Sequence, residues 1–169
     1  MKIATSNKQK LHRMNLSRVK ALAYELAVAA GLARDGNAFG EVSVVFTDDP
    51  GITDVNRRFL CRAEPTDVIS FAYESVPGME QGRTGEIVIN VQRAVEAGSK
   101  HGGIQRELAL YIAHGMDHLS GEDDSTKRSY ARMRRRELQW LRRAAQDDLL
   151  TGLVRETSPH RSRAPGGTP

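Results

Sequence analysis

Apolar residues recur along the chain in two spacings, one typical of helices and one typical of strands. The helical spacing of three to four positions predicts helices over 16–33, 92–100, 104–119 and 125–150. A further short helix is predicted over 53–60, with Thr53 as its N-cap. Runs rich in β-branched residues predict strands over 41–47, 67–73 and 85–91, and a weaker one over 1–7. Strands and helices alternating on this scale predict a sheet with helical cover.

Loop-forming residues and residue composition indicate where the folded domain contains a loop and where it ends. Pro77, Gly78 and Gly82 predict a mobile loop over 75–83. We find no internal repeat, and a chain of 169 residues is long enough to bury one ordinary core. Residues 1–150 are therefore predicted to form a single domain. Residues 151–169 are predicted to form a disordered basic tail, because Ser, Pro, Gly, Arg and Thr dominate its end without periodicity.

Positive charge is concentrated in the last predicted helix. The chain has 25 Lys and Arg against 21 Asp and Glu, a formal charge of +4. Between residues 127 and 143, eight basic residues are opposed only by Glu137. This run is either a solvated helix face or a surface that contacts phosphates. In the second case Lys127, Arg128 and Arg132 are the candidate substrate-binding residues.

Cysteine count and hydropathy exclude several classes. Cys61 is the only cysteine, so neither an internal disulfide nor a cysteine-based zinc site can form. The first residues lack the apolar core of a signal peptide, and no run approaches the ~18 apolar residues of a membrane span. The sequence therefore predicts a soluble cytoplasmic protein without a membrane partner.

The candidate chemistry lies where the apolar helix 104–119 ends. His114 and His118 are four residues apart, so both imidazoles lie on one helix face. Gly121 can end the helix and turn the chain, which would let Asp124 return as a third ligand. Two nitrogens and one carboxylate oxygen suit a catalytic zinc ion with a fourth position open to water.

Other interpretations of this histidine pair stay open. A surface pair or a satisfied core histidine would show the same spacing. A zinc peptidase needs a Glu directly after the first histidine, and Gly115 stands there. An iron oxygenase also uses two histidines and one carboxylate, and oxygen-dependent turnover would reveal it.

The segment from His114 to Asp124, which reads His-Gly-Met-Asp-His-Leu-Ser-Gly-Glu-Asp-Asp, resembles the signature of the YbeY-type family. These are bacterial metal-dependent endoribonucleases that act in ribosomal RNA maturation. The upstream stretches that also match are Asn56 with Pro65-Thr66-Asp67-Val68-Ile69-Ser70-Phe71, then Gly85-Glu86-Ile87-Val88-Ile89, then Arg106-Glu107-Leu108-Ala109. The resemblance covers about residues 1 to 145.

This resemblance implies an α+β fold, in which a mixed four-stranded sheet is covered by about five helices and the metal helix is central. It implies a single-strand-specific endoribonuclease that processes the 3′ end of 16S rRNA. Its partners would be RNA, the small ribosomal subunit and ribosome-associated proteins, not DNA. The implied cofactor is one zinc ion held by His114, His118 and Asp124, with manganese or another divalent ion as the alternative. His114, His118 and Arg62 are the candidate catalytic residues, and Arg62 would also bind substrate.

Two positions depart from the family pattern. Asp124 stands where the third ligand is usually His, and Leu60 stands where an Arg is usual, so Arg62 could take over part of that role. A carboxylate ligand offsets metal charge, which makes the bound water less acidic and harder cations more competitive. These departures leave a second hypothesis open, an RNA-binding ribosome-assembly factor with little or no nuclease activity. No residue is convincing as a general base, and Asp117 could instead orient His114.

Overall fold

The computed structural model describes residues 1–34, 38–75 and 82–155. Its strands are β1 Lys2–Asn7, β2 Arg13–Met14, β3 Phe39–Thr47, β4 Val68–Tyr73, β5 Arg83–Asn90 and β6 Val154–Arg155. Its helices are α1 Leu16–Ala29, α2 Asp49–Leu60, α3 Val91–His101, α4 Ile104–Leu119 and α5 Lys127–Gln146. The predicted α+β fold, with a four-stranded mixed sheet and about five helices, is confirmed.

The main sheet has the order β1-β3-β5-β4. β1 and β5 both run parallel to β3, whereas β4 pairs antiparallel with β5 at the edge. Because β4 is antiparallel to β5, its first residue, Val68, pairs with Ile89 near the end of β5, and the loop from α2 into β4 therefore lies beside the start of α3. Asn90 fixes this junction: its amide nitrogen donates to the Thr66 carbonyl at 2.9 Å, and its amide oxygen caps α3.

The two faces of the sheet are covered unequally. The larger core joins one face to α1, α4 and α5 and includes residues such as Leu22, Phe46 and Ile112. A smaller cluster on the other face, under α2, contains Val45, Ile52, Ile69 and Val88. α4 is buried over most of its length, so it is the central helix of the larger layer.

A glycine sets how closely α4 approaches the sheet. A Cβ atom added at Gly115 would lie 2.5 Å from the Ile87 side chain on β5. A contact that short requires the backbone or the core to shift, because the neighbouring atoms belong to a buried branched side chain. Gly115 is therefore a packing residue that lets the end of α4 lie against β5.

The predicted start of α2 is wrong. The helix begins at Asp49, and its N-cap is Asp48, whose carboxylate accepts a hydrogen bond from the Gly51 N–H at 3.1 Å. Thr53 lies inside the helix, where its hydroxyl donates to the Asp49 carbonyl. The Asp-Asp-Pro-Gly sequence resembles a turn, but Asp as N-cap and Pro in the first turn are also helix-starting signals.

The folded part of the chain extends past the predicted boundary at residue 150. β6 pairs antiparallel with β2, and Leu153 is fully buried. The Leu153 N–H donates to the Gln105 side chain at 2.7 Å, which ties this segment to α4. Residues 151–155, assigned to the tail from sequence, are therefore structured because Leu153 and Val154 supply apolar contacts.

Some predictions fall on residues outside the described ranges. These are most of the predicted loop 75–83 and residues 156–169 of the predicted tail. Among the helices of the described chain, none combines the length and apolar composition needed to cross a membrane.

Candidate metal centre

The last turns of α4 place His114 and His118 side by side. Their rings meet edge to face with centroids 4.4 Å apart, and the two Nε2 atoms are 3.0 Å apart. Asp124 lies opposite them, with carboxylate oxygens 3.7 Å from His114 Nε2 and 4.0 Å from His118 Nε2. In the described chain, these three residues form the one group of ligand atoms close enough together to hold a metal ion.

Both histidines are oriented through their Nδ1 atoms. The Nδ1–H of His118 donates to the Glu122 backbone carbonyl at 3.0 Å, which can only accept. The Nδ1 of His114 lies 2.7 Å from the carboxylate of Glu137, a residue of α5 with 1% of its surface exposed. Each contact places the ring proton on Nδ1, so the Nε2 lone pairs face the shared space.

Burial and charge act in opposite directions on His114. Burial lowers its pKa, but the hydrogen bond to Glu137 and the charges of Glu137 and Asp124 together raise that pKa above its ordinary value. The surroundings of His114 therefore favour positive charge at this position. A bound cation would meet the same preference.

The donor set fits a divalent metal ion. Two nitrogen lone pairs that face each other at 3.0 Å repel unless a proton or a cation lies between them. Two imidazoles and one carboxylate form a common ligand set for zinc in catalytic sites, and the Glu137 contact is the usual support for a ligating histidine. His114, His118 and Asp124 could therefore hold the ion.

The turn that carries Asp124 is held by an ion-pair network. Gly121 ends α4 with a φ of +94°, a conformation that favours glycine. Arg136 on α5 contacts the buried carboxylate of Asp117 and also binds Glu122 at 3.0 Å. Arg132 adds a second contact to Glu122, and the two arginines lower the pKa of Glu122. The network fixes the turn to both helices.

The structure places Asp117 in this network and not beside His114. Burial raises the pKa of Asp117, while its hydrogen bond to Arg136 opposes that rise. Its carboxylate also lies 3.3 Å from Arg136 Nε. The hypothesis that Asp117 orients His114 is therefore wrong, since Glu137 does so.

The three candidate ligands lie in a cleft of about 750 Å³ at the edge strand β4. Arg62 and Leu60, at the end of α2, line the same cleft, as do Asp67 and Ser70. Cys61 ends α2 in a left-handed conformation with a φ of +54°, which turns the chain directly before Arg62. The structure thus brings Arg62 into the same cleft as His114 and His118, and it places Leu60 there as well.

The three candidate substrate-binding residues of the predicted basic surface differ in their contacts. Lys127 and Arg128 are exposed in the first turn of α5 and do not line the cleft. Arg132 is exposed but bound to Glu122. None of these three residues therefore lines the cleft of the candidate metal centre.

Glu137 is the site residue that sequence reasoning missed. In the sequence it stands out only as the single acid among the basic residues between 127 and 143. Its position, however, continues the buried stripe of α5, which otherwise consists of Met133, Trp140, Leu141 and Ala144. An acid on the apolar face of an amphipathic helix is a signal that it has a buried partner.

Fold and site together define an α+β protein with a cleft at the edge of its sheet in which two histidines and one aspartate could hold a metal ion. The family model described as Endoribonuclease YbeY matches residues 4–145, and the chain belongs to this YbeY family.

Curated relatives with that name agree with the match. One from Rhodopirellula baltica is 40% identical over 115 residues, which are 66% of this chain and 58% of that protein. One from Symbiobacterium thermophilum is 38% identical over 146 residues, or 79% of this chain and 90% of that protein. The solution structure of TM1509 from Thermotoga maritima has a TM-score of 0.54 at 19% identity, covering 87% of this chain and 94% of that one. This last likeness supports the fold alone.

Proposed function

We propose that the protein is a metal-dependent, single-strand-specific endoribonuclease. The observation that carries this proposal is the convergence of three candidate ligands and one guanidinium on a single open cleft. His114, His118 and Asp124 supply the ligand atoms, and Arg62 lines the same cleft. Membership of a family described as endoribonucleases identifies RNA as the substrate class.

Each residue has a distinct task in this proposal. His114 and His118 hold the ion through Nε2, while Glu137 and the Glu122 carbonyl keep both rings in the required tautomer. Zinc, or manganese as the alternative, would activate water and offset charge on the phosphate. Arg62 would bind the phosphate next to the bond that is cut, because a guanidinium pairs with two phosphate oxygens.

Exposed lysine and arginine at the start of α5 extend the proposed substrate path. Lys127 and Arg128 would contact the RNA backbone outside the cleft, which strengthens binding without reading sequence. Replacing both by Gln should weaken RNA binding and make it less sensitive to salt, with little effect on bound metal. Arg142 and Arg143 at the far end of α5 provide the matched control pair.

The biological role is proposed from the family resemblance. We infer that the substrate is ribosomal RNA, with processing of the 16S rRNA 3′ end and ribosome biogenesis or quality control as the process. Partners would then be the small ribosomal subunit and its associated proteins. The mildly basic charge of +4 is compatible with such a partner.

Cleavage of a structured ribosomal RNA fragment by zinc-reconstituted protein tests the proposal. Chelated protein and His114→Ala are run in parallel. Cutting that needs both metal and His114 would support a nuclease. Cutting that persists in His114→Ala would show that a contaminating nuclease, and not this site, produces the observed cleavage.

The position of Leu60 favours one alternative function. Leu60 is 45% exposed and lines the cleft where the family usually has Arg, so one phosphate contact is absent there. An RNA-binding assembly factor would bind the fragment and the metal without cutting. Gain of cutting in Leu60→Arg, with wild-type protein inactive, would establish this alternative.

A further inference from the structure

A second, smaller cavity of about 210 Å³ lies behind the metal centre between α3, α4 and α5. It shares two lining residues, His114 and Asp67, with the larger cleft. Glu107, Tyr111 and Tyr130 also line it. The two spaces are therefore neighbours on either side of His114.

Glu107 is the unusual residue of this cavity. Only 5% of its surface is exposed, yet within residues 1–34, 38–75 and 82–155 its side chain makes no hydrogen bond or ion pair. Its oxygens are not fully enclosed by protein, so they meet solvent inside the cavity and stay available to a ligand. The first turn of α4 favours its negative charge but leaves its oxygens free to accept hydrogen bonds.

A carboxylate can only accept, so a ligand for Glu107 must present hydrogen-bond donors. A metal ion fits less well, because in the described chain only His114, His118 and Asp124 lie close enough together to hold one. Tyr111 is nearby, and burial, followed by the charges of Asp67 and Glu107, raises its pKa to about 12. Its hydroxyl therefore stays protonated and adds a donor to the cavity wall.

We propose that this cavity binds a guanine base of single-stranded RNA, with Glu107 accepting hydrogen bonds from the N1–H and N2–H of the base. Guanine presents these two donors side by side, which suits the two oxygens of one carboxylate. Adenine and cytosine present a single amino group beside an acceptor, and uracil places its N–H between two carbonyls. Glu107 therefore discriminates in favour of guanine.

The rest of the cavity suits a base held in this way. Tyr130 is 50% exposed at the rim, where its ring is available for stacking, a usual mode for unpaired RNA bases. The tyrosine hydroxyl of Tyr111 can serve the base carbonyl. Because His114 borders both spaces, the bound guanosine would lie next to the phosphate that is cut. This inference rests on the proposed nuclease function.

Binding of labelled oligouridines that contain one central guanosine, inosine or adenosine tests the inference. The full chain is used after chelation, so that cleavage cannot alter the probe. The guanosine oligomer should bind about tenfold more tightly than the adenosine oligomer, in line with one bidentate base contact. Inosine, which lacks the N2 amino group, should lie between them.

Two variants test whether the preference for guanosine depends on Glu107 in the cavity. Glu107→Gln keeps the size of the side chain but replaces one acceptor by a donor, and it should remove the preference while leaving adenosine binding within about twofold. Glu96→Gln, an exposed acid on α3 outside the cavity, should keep the preference. Melting temperature and zinc content establish that each variant is folded.

Equal binding of the three oligomers by the wild type would overturn the inference, and so would a preference that survives Glu107→Gln. Failure of the nuclease proposal gives a different result. In that case the guanosine preference is present, but the zinc-loaded protein cuts none of the oligomers. Cutting without base preference refutes the guanine cavity alone.

Discussion

The candidate metal centre is built from two unlike parts, a buried helix and an exposed turn. His114 and His118 lie on α4, which the core holds on several sides. Asp124 lies on the turn after Gly121 and has 37% of its side chain exposed. The helix is positioned by apolar packing, whereas the turn is positioned by the ion pairs of Arg132 and Arg136.

The helix ligands and the turn ligand should therefore respond differently to substitutions around them. A ligand on a packed helix keeps its place when one surface contact is lost, because many core contacts fix the backbone. A ligand on a turn is held in place by a few charged contacts. Metal binding should therefore survive replacement of the ligand side chain, but not loss of the contacts that hold the turn. We therefore expect that loss of a histidine ligand on α4 abolishes metal binding. Replacement of Asp124 by another ligand should only change the metal affinity.

The largest effect is expected from His114→Ala, which removes one ligand and leaves the Glu137 carboxylate buried without its partner. The variant should lose bound zinc entirely. Metal content after purification measures this loss. Stoichiometric zinc in the variant would mean that the ion is held elsewhere.

Arg136→Ala should have the next largest effect, because it leaves Asp117 buried without a counter-charge. Breaking a buried pair costs about 3–5 kcal/mol, and we expect roughly 3 kcal/mol since Arg136 is itself partly exposed. Denaturant unfolding measures the change. Exposed Arg135 supplies the control, and Asp117→Asn in the same chain should recover part of the loss.

Glu137→Ala should reduce zinc affinity by about 10- to 100-fold, the range typical of residues that support a metal-bound histidine. Glu137→Gln can still accept the Nδ1–H of His114 and should lose less. Competition with a coloured chelator measures both affinities. Equal affinities in wild type and Glu137→Ala would show that His114 needs no such support.

Asp124→His should have the smallest effect, with zinc retained at wild-type affinity or tighter, because a neutral imidazole replaces a carboxylate on an adaptable turn. The affinity of the variant for zinc should also rise relative to its affinity for manganese. Adjacent Asp123→His controls for an added histidine in the same cleft. Clear loss of zinc in Asp124→His alone would show that Asp124 is not a ligand.

The elements with strong periodicity were predictable from sequence. The helix at 104–119 matches α4 residue for residue, because its apolar stripe and Gly121 define both its face and its end. The predicted strands correspond to β1, β3, β4 and β5. The start of α2 was not predictable with the same certainty, since Asp48 and Pro50 suit both a turn and a helix N-terminus.

In the candidate site, too, some residues were predictable from sequence and others were not. The spacing of His114, His118 and Asp124 is local, so sequence alone predicted that these residues would meet. Glu137 and Arg136 reach the site from α5, and no spacing in the chain reveals which face of α5 packs against α4. Long-range contacts of this kind depend on tertiary packing.

The packing of Gly115 against Ile87 has a consequence for how this histidine motif can evolve. In zinc peptidases, the residue after the first histidine is the Glu that acts as general base. Here that position points into the sheet, where even a methyl group lacks room. Proteolytic chemistry is therefore not one substitution away from this scaffold, although the two histidines have the same spacing.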